Sequence, residues 1–222
     1  MTMPFYVPPE QLVKDRADFA RKGIARGRSI AALEYDTGIL LLAENPSGTL
    51  HKISEIYDRI AFAGVGKFNE FELLRVAGIR HADVKGYMYS RADVSAKSLV
   101  NAFAQTLGNI FTHEVKPFEV ELLVAELGVG DEPNRMYRVL YDGTLYDQTG
   151  FAAIGGNSDE LSERLSAAYR PGLTLTKAIK VAAGAFEGEV EGWEGAVLER
   201  NGHRRTFRKL TSEEIEAFIA QK

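Results

Sequence analysis

Between residues 29 and 64 the chain lays down four short apolar runs with no helix-forming stretch among them, and this constrains its fold more than any other feature. Residues 29–35 and 39–43 flank a tight Asp36-Thr37-Gly38 turn; residues 49–53 and 59–64 follow the breaker Asn45-Pro46-Ser47-Gly48. Ile and Leu recur in these runs, with Tyr35 and Phe62, so each reads as a strand. A helix precedes them: Pro8-Pro9-Glu10 starts it, since proline in a first turn gives up no needed N–H and glutamate suits the positive helix end. Leu12, Val13, Ala17, Ala20 and Ile24 keep helical spacing along one face, and Gly23 and Gly27 are expected to close it.

Two helices come next, over residues 67–89 and 94–111. Phe68, Phe71, Leu74, Val76 and Ile79 mark the first, with Gly78 and Gly86 expected to weaken its far end. Asp93 is the expected cap of the second, whose apolar side carries Leu99, Val100, Phe103, Leu107, Ile110 and Phe111. Strands resume over 119–128, 135–141, 144–146 and 151–154, with a hairpin turn at Asp142-Gly143. Helices over 159–169 and 175–186 follow. A last strand pair (196–200 and 205–209) turns at Asn201-Gly202, and Thr211-Ser212-Glu213-Glu214 caps a terminal helix. Runs of strands separated by helix pairs do not alternate as a doubly wound sheet would. They fit an α+β architecture of two stacked antiparallel sheets with a helix pair on each outer face. Both faces of each sheet are then buried, which accounts for the unbroken Ile39-Leu40-Leu41-Leu42.

At 222 residues the chain is long enough to bury about 70% of its unfolded surface. A net charge of −4 gives no electrostatic reason for a nucleic-acid partner or an anionic membrane. No apolar run reaches the ~18 residues of a membrane span, and the first residues lack the basic start and apolar core of a signal peptide. A cytoplasmic protein is expected. Zero cysteines exclude disulfides, thiolate metal sites and a cysteine nucleophile. His51, His81, His113 and His203 stand singly, without the pairing a metal site needs, so no metal or other cofactor is expected. Gly64-Val65-Gly66-Lys67 lacks the full phosphate-loop pattern.

Several ordered blocks carry a family resemblance over almost the whole chain: Pro9-Glu10-Gln11, Ala20-Arg21-Lys22-Gly23-Ile24-Ala25-Arg26, Ala43-Glu44-Asn45-Pro46, Lys52-Ile53-Ser54-Glu55, Gly66-Lys67-Phe68-Asn69-Glu70-Phe71, Ala104-Gln105-Thr106-Leu107-Gly108 and Lys116-Pro117-Phe118-Glu119-Val120-Glu121-Leu122. In these the chain resembles the α subunits of actinobacterial 20S proteasomes. The resemblance implies a four-layer αββα sandwich of the N-terminal nucleophile hydrolase type. It divides the chain into a gate segment (1–8), a ring-packing helix (9–24) and a single core domain (25–222). Its partners would be other α copies in a heptamer, β subunits in a particle of fourteen α and fourteen β chains, a ring-shaped AAA ATPase activator, and unfolded protein substrates. The triplet Tyr57-Asp58-Arg59, known from the gate of other α subunits, falls here on an expected core strand and is taken as coincidence.

In the related β subunits a threonine opens the first strand and its free amine acts as base, with a carboxylate and a lysine nearby. Aligned on the strands, those positions fall near Ser29, at Glu44 and close to Leu50. A mid-chain Ser29 offers an amide nitrogen, so no catalytic residue is expected. The alternative is a catalytic hydrolase using Thr2 or a processed Ser29; Met3-Pro4-Phe5 argues against Thr2, because proline cannot donate in a central strand. What the resemblance implies instead is a gate of Thr2, Pro4, Phe5, Tyr6, Val7 and Pro8, and an activator pocket in which Lys52 meets a terminal carboxylate, with Gly27 and Val65 lining it. The helix pair 67–111 would face the β ring, with Phe68, Phe71 and Phe103 as contacts or as core. Residues 113–115 would shape a constriction behind the gate.

Overall fold

The computed structural model describes residues 8–200 and 205–221. Helix α1 (Pro9–Ile24) leads into four strands: β1 (Ile30–Tyr35), β2 (Gly38–Glu44), β3 (Ile53–Tyr57) and β4 (Ile60–Gly66). Helix α2 (Phe68–Met88), a short 3-10 turn (Arg91–Asp93) and helix α3 (Ala96–His113) come next. Strands β5 (Val120–Glu126), β6 (Arg135–Val139), β7 (Leu145–Gln148) and β8 (Phe151–Ile154) precede helices α4 (Ser158–Ala168) and α5 (Leu175–Ala185). Strands β9 (Trp193–Glu199) and β10 (Phe207–Leu210) and helix α6 (Ser212–Ala220) complete the order.

The strands form two five-stranded sheets, β10-β9-β2-β1-β8 and β3-β4-β5-β6-β7, and every pairing is antiparallel. Side chains alternate across the central strands, and both sides find apolar partners. Ile30, Ala32, Ile39 and Leu41 of the first sheet meet Ile53, Ala63, Leu123 and Ala125 of the second in the layer between the sheets. Ala31, Leu33, Leu40 and Leu42 point the other way, onto Leu161, Leu165, Ile179 and Ala182 of α4 and α5, with Ile215 of α6 in the same cluster. Ile60, Phe62, Leu122 and Val124 pack outward onto Phe71, Leu74, Leu99 and Phe103 of α2 and α3. The result is the expected αββα sandwich.

Several expectations shift. The strand expected over 49–53 starts only at Ile53, because side chains bond the backbone before it. Ser47 Oγ accepts from the amides of Thr49 and Leu50, and the Glu194 carboxylate accepts from those of Lys52 and Ile53. With those donors satisfied, the segment has no need of a ladder. Asp58 and Arg59 form the turn between β3 and β4, so only Tyr57 of that triplet lies on a strand. Helix α3 starts two residues later than expected: Ser95, not Asp93, is its cap and accepts from Ser98 N. Gly23 lies inside α1, and the cap is Ala25. Gly78 and Gly86 do not weaken α2. A Cβ on Gly78 would stand 2.6 Å from the Phe103 ring, and one on Gly86 would overlap the Tyr57 hydroxyl, so both glycines let α2 lie close on its neighbours. Phe71 and Phe103 are core rather than contacts, and Phe68 packs half-buried against the same cluster. The turn at Asn201-Gly202 and His203 lie outside the described residues.

Helix α1 sits across one end of the sandwich. It buries Ala20 and Ile24, and the Arg16 guanidinium donates to the carbonyls of Phe111 (2.8 Å) and Thr112 (2.9 Å), capping the end of α3. Leu12, Val13 and Phe19 remain 46%, 53% and 47% exposed.

Candidate docking site

The junction between α1 and β1 brings the expected pocket residues together. Gly27 N donates to Ile24 O at 2.8 Å, which turns the chain out of the helix, and Gly156 N donates to Gly27 O at 3.2 Å. A Cβ at residue 27 would overlap Cγ1 of Val65, so only glycine lets this segment rest on the end of β4. Val65 is itself buried beneath Gly27. It supports the junction from below and presents no open surface.

Lys52 lies alongside. Its Nζ donates to Arg28 O and to Glu44 O, each at 3.0 Å, linking the approach to β1 with the end of β2. Its Oε-bearing neighbour Glu194 holds the Lys52 amide at 2.9 Å. Burial pushes the Lys52 ammonium down to about 8, against the opposing pull of the Glu194 and Glu44 carboxylates; the Arg28 charge adds to the depression. Lys52 is the lysine next along the chain from Leu50, the position aligned with the catalytic lysine of β subunits. Leu50 is exposed and its carbonyl accepts from Asn45 Nδ2.

Ser29 and Glu44 are both engaged. Ser29 is buried, and its Oγ accepts from Asn157 N at 3.3 Å. Glu44 ends β2 and pairs with Arg28, which also reaches Glu191 at 3.0 Å. Behind them Glu121, on the second sheet, accepts from Gly155 N at 2.9 Å and pairs with Arg138. Burial raises its pKa, while Arg138 and the Gly155 amide oppose the rise. This carboxylate ties the loop facing Ser29 to the opposite sheet.

Gly66 ends β4 with φ +106°, a left-handed value that suits glycine, and a Cβ there would overlap Glu119 O. That close approach to the start of β5, together with the Phe71 ring lying 2.8 Å from where a Cβ on Gly64 would stand, accounts for the Gly-x-Gly spacing. Next to it the Glu70 carboxylate is buried in the first turn of α2, accepting from Glu119 N at 2.6 Å and Lys116 Nζ at 2.7 Å. His51 lies 3.7 Å from Glu194, His81 3.3 Å from Ser98 Oγ and His113 3.1 Å from Asn109 O. Among the described residues no group of three or more His, Asp or Glu is placed to hold a metal ion. Of the expected gate only Pro8 is described: it is exposed and its carbonyl accepts from Gln11 and Leu12 N; Thr2, Pro4, Phe5, Tyr6 and Val7 lie outside the described residues.

Sequence reasoning missed Glu194 and the Arg28–Glu44–Glu191 cluster. A carboxylate set between Trp193 and Gly195 at the start of a strand was the available signal.

A four-layer sandwich with β1 entered from a helix-linked, hydrogen-bonded junction defines a protein of the N-terminal nucleophile hydrolase class. A family model described as "Proteasome subunit" matches residues 24–191. Proteins named proteasome subunit alpha are similar along nearly the full length. The one from Thermomonospora curvata is 52% identical, with 100% of this chain and 99% of the relative covered. That from Acidimicrobium ferrooxidans is 54% identical (97% and 95%), and that from Xylanimonas cellulosilytica 57% identical (95% and 93%). The chain belongs to the proteasome subunit family, as a member of its α type. Among the described residues no helix is long and apolar enough to cross a membrane.

Proposed function

We propose that this chain is the non-catalytic gating subunit of a cytoplasmic proteasome core. Seven copies form an outer ring through α1, two such rings cap the β rings of a particle with fourteen α and fourteen β chains, and residues 1–8 close the axial entry. Lys52 and Gly27, with Val65 supporting the junction from below, form the seat for the C-terminal tails of a ring-shaped ATPase, whose docking opens the way for unfolded proteins. Val115, 94% exposed on the turn between α3 and β5, contributes to the constriction behind the gate. Neither nucleic acid nor a membrane is a partner in this reading.

The observation that carries the non-catalytic reading is the state of Ser29. It is an internal residue whose nitrogen is a peptide amide, it is buried, and its hydroxyl is held by Asn157 N. An amide cannot serve as the base that a threonine-type hydrolase finds in its own amino terminus. The lysine and carboxylate beside it, Lys52 and Glu44, are bonded to backbone carbonyls and to Arg28.

The test is to purify the chain alone and together with a β subunit, and to follow particle size and peptide hydrolysis. Alone it is expected to be inert; co-assembled, it is expected to yield a large particle whose activity survives Thr2→Ala and Ser29→Ala in this chain. Hydrolysis by the isolated chain that either substitution removes would establish the hydrolase reading in its place.

A further inference from the structure

Helix α1 grips the turn between α3 and β5 from both sides. Helix α3 ends at His113, and the carbonyls of a last helical turn find no amide ahead of them in the helix. Glu114 N takes Ile110 O at 3.0 Å. The next two carbonyls, of Phe111 and Thr112, both go to Nη1 of Arg16, whose charge also suits the negative end of the helix. On the far side of the turn Lys116 Nζ lies 5.4 Å from the centre of the Phe19 ring and bonds Glu70 at 2.7 Å and Glu119 at 2.9 Å. Pro117 is then buried. Between these anchors residues 112–116 are all exposed, with Val115 at 94%. Leu12, Arg16 and Phe19 are spaced by four and three residues, so they neighbour one another on a single face of α1. The apolar ridge of the helix and its hold on the turn therefore share one surface.

We propose that Arg16 is a positioning residue for the substrate passage: by tying the 113–116 turn to α1, it holds Val115 at a fixed depth and so sets the cross-section of chain that the passage admits. The proposal rests on the reading of α1 as the ring-packing helix and of Val115 as part of the constriction. A turn held at both ends projects its middle at one distance from the body of the subunit. With one end released, its residues regain backbone freedom, and an obstacle made of such turns yields to a wide substrate. The Arg16 bond to Thr112 O is exposed and that to Phe111 O part-buried, so water can replace the guanidinium and its loss frees the turn without unfolding α3. Lys116 is the less separable anchor, because its removal also leaves the buried Glu70 carboxylate without its closest cation.

The test uses the assembled αβ particle, built from the full-length chain and again with residues 2–7 removed, so that the entry segment does not mask the passage behind it. One unfolded polypeptide is supplied in two forms without reductant: linear, and closed by an internal disulfide that forces two strands through together. The ratio of looped to linear degradation rates is read for each particle. The wild-type particle is expected to process the linear form and largely refuse the looped one. R16M is expected to raise the ratio several-fold, and R16K, which can keep one of the two bonds, to fall between. A merely structural role would change both rates alike and leave the ratio where it was. V115G is expected to raise the ratio, and V115W to slow even the linear form. A wild-type ratio in every Arg16 variant that assembles would overturn the proposal while the Val115 variants upheld the constriction. Failure of both R16M and R16K to assemble would overturn it too, making Arg16 an assembly residue. If neither Val115 substitution altered either rate, the constriction reading would fall and this inference with it.

Discussion

Lys52 Nζ sits 3.0 Å from the carbonyl oxygen of Arg28, one residue before the serine that occupies the start of the first sheet's central hairpin. The same nitrogen reaches Glu44 O, so one side chain fixes the two chain segments that border the proposed docking seat. Removing it therefore has two consequences. Lys52→Ala should take away most activator stimulation of peptide hydrolysis while leaving particle size unchanged. It also strips two carbonyls of their donor, at about 1–3 kcal/mol for each that water does not reach. A lower melting temperature should accompany the loss, measured by calorimetry on the assembled particle. Full stimulation in this variant would remove Lys52 from the seat.

The depressed lysine gives docking a pH dependence. With its pKa lowered to about 8, Lys52 is charged at pH 7 and largely neutral at pH 9, and only the charged form attracts a carboxylate. Activator affinity should decline across that interval in the wild type. In Lys52→Arg, where the charge does not titrate, the decline should be absent. Affinity curves that coincide for the two proteins at both pH values would argue against a titrating lysine in the contact.

Gly27 can be tested without touching any charge. An added methyl would overlap Cγ1 of Val65, and the two must separate. Gly27→Ala should cost about 1–3 kcal/mol of stability, as overpacking does, and should weaken docking through displacement of the 25–29 segment. Pairing it with Val65→Ala, which opens the space, should recover part of both losses. An unaltered melting temperature in the single variant would mean that the junction has room to spare.

The gate assignment makes a simple demand of residues 1–8. A particle built from a chain lacking residues 2–7 should hydrolyse small peptides several-fold faster without activator, and should admit an unfolded protein such as casein. Rates equal to those of the full chain would exclude an N-terminal barrier.

Much of the architecture was legible because both faces of each sheet are apolar and the helices carry clear stripes. The run 151–154 matches β8, and Thr211 with Glu214 forms the capping box of α6. What escaped depends on partners far away in sequence. Glu194 meets Lys52 and Ile53 across 142 and 141 residues, and no local pattern around 49–53 announces that its amides are already satisfied. Gly78 and Gly86 look like helix breakers until Phe103 and Tyr57 are seen pressed against them. In the candidate site, Lys52 opens one of the ordered sequence blocks, whereas Gly27 and Val65 were set beside it only by what the resemblance implies. That Lys52 is clamped to backbone emerges only once the approach to β1 and the end of β2 converge on it.

Helix α1 commits little of its apolar surface to its own chain: Ala20 and Ile24 are buried, while Leu12, Val13 and Phe19 stay near half exposed. A solitary copy in water therefore carries a sticky ridge at one end, and Arg16 holds that ridge rigidly in place by its grip on α3. Concentration then becomes a control variable. Dilute chains would be prone to capture by holdase chaperones or to clumping, whereas a stoichiometric supply of neighbours would hide the ridge as fast as it is made.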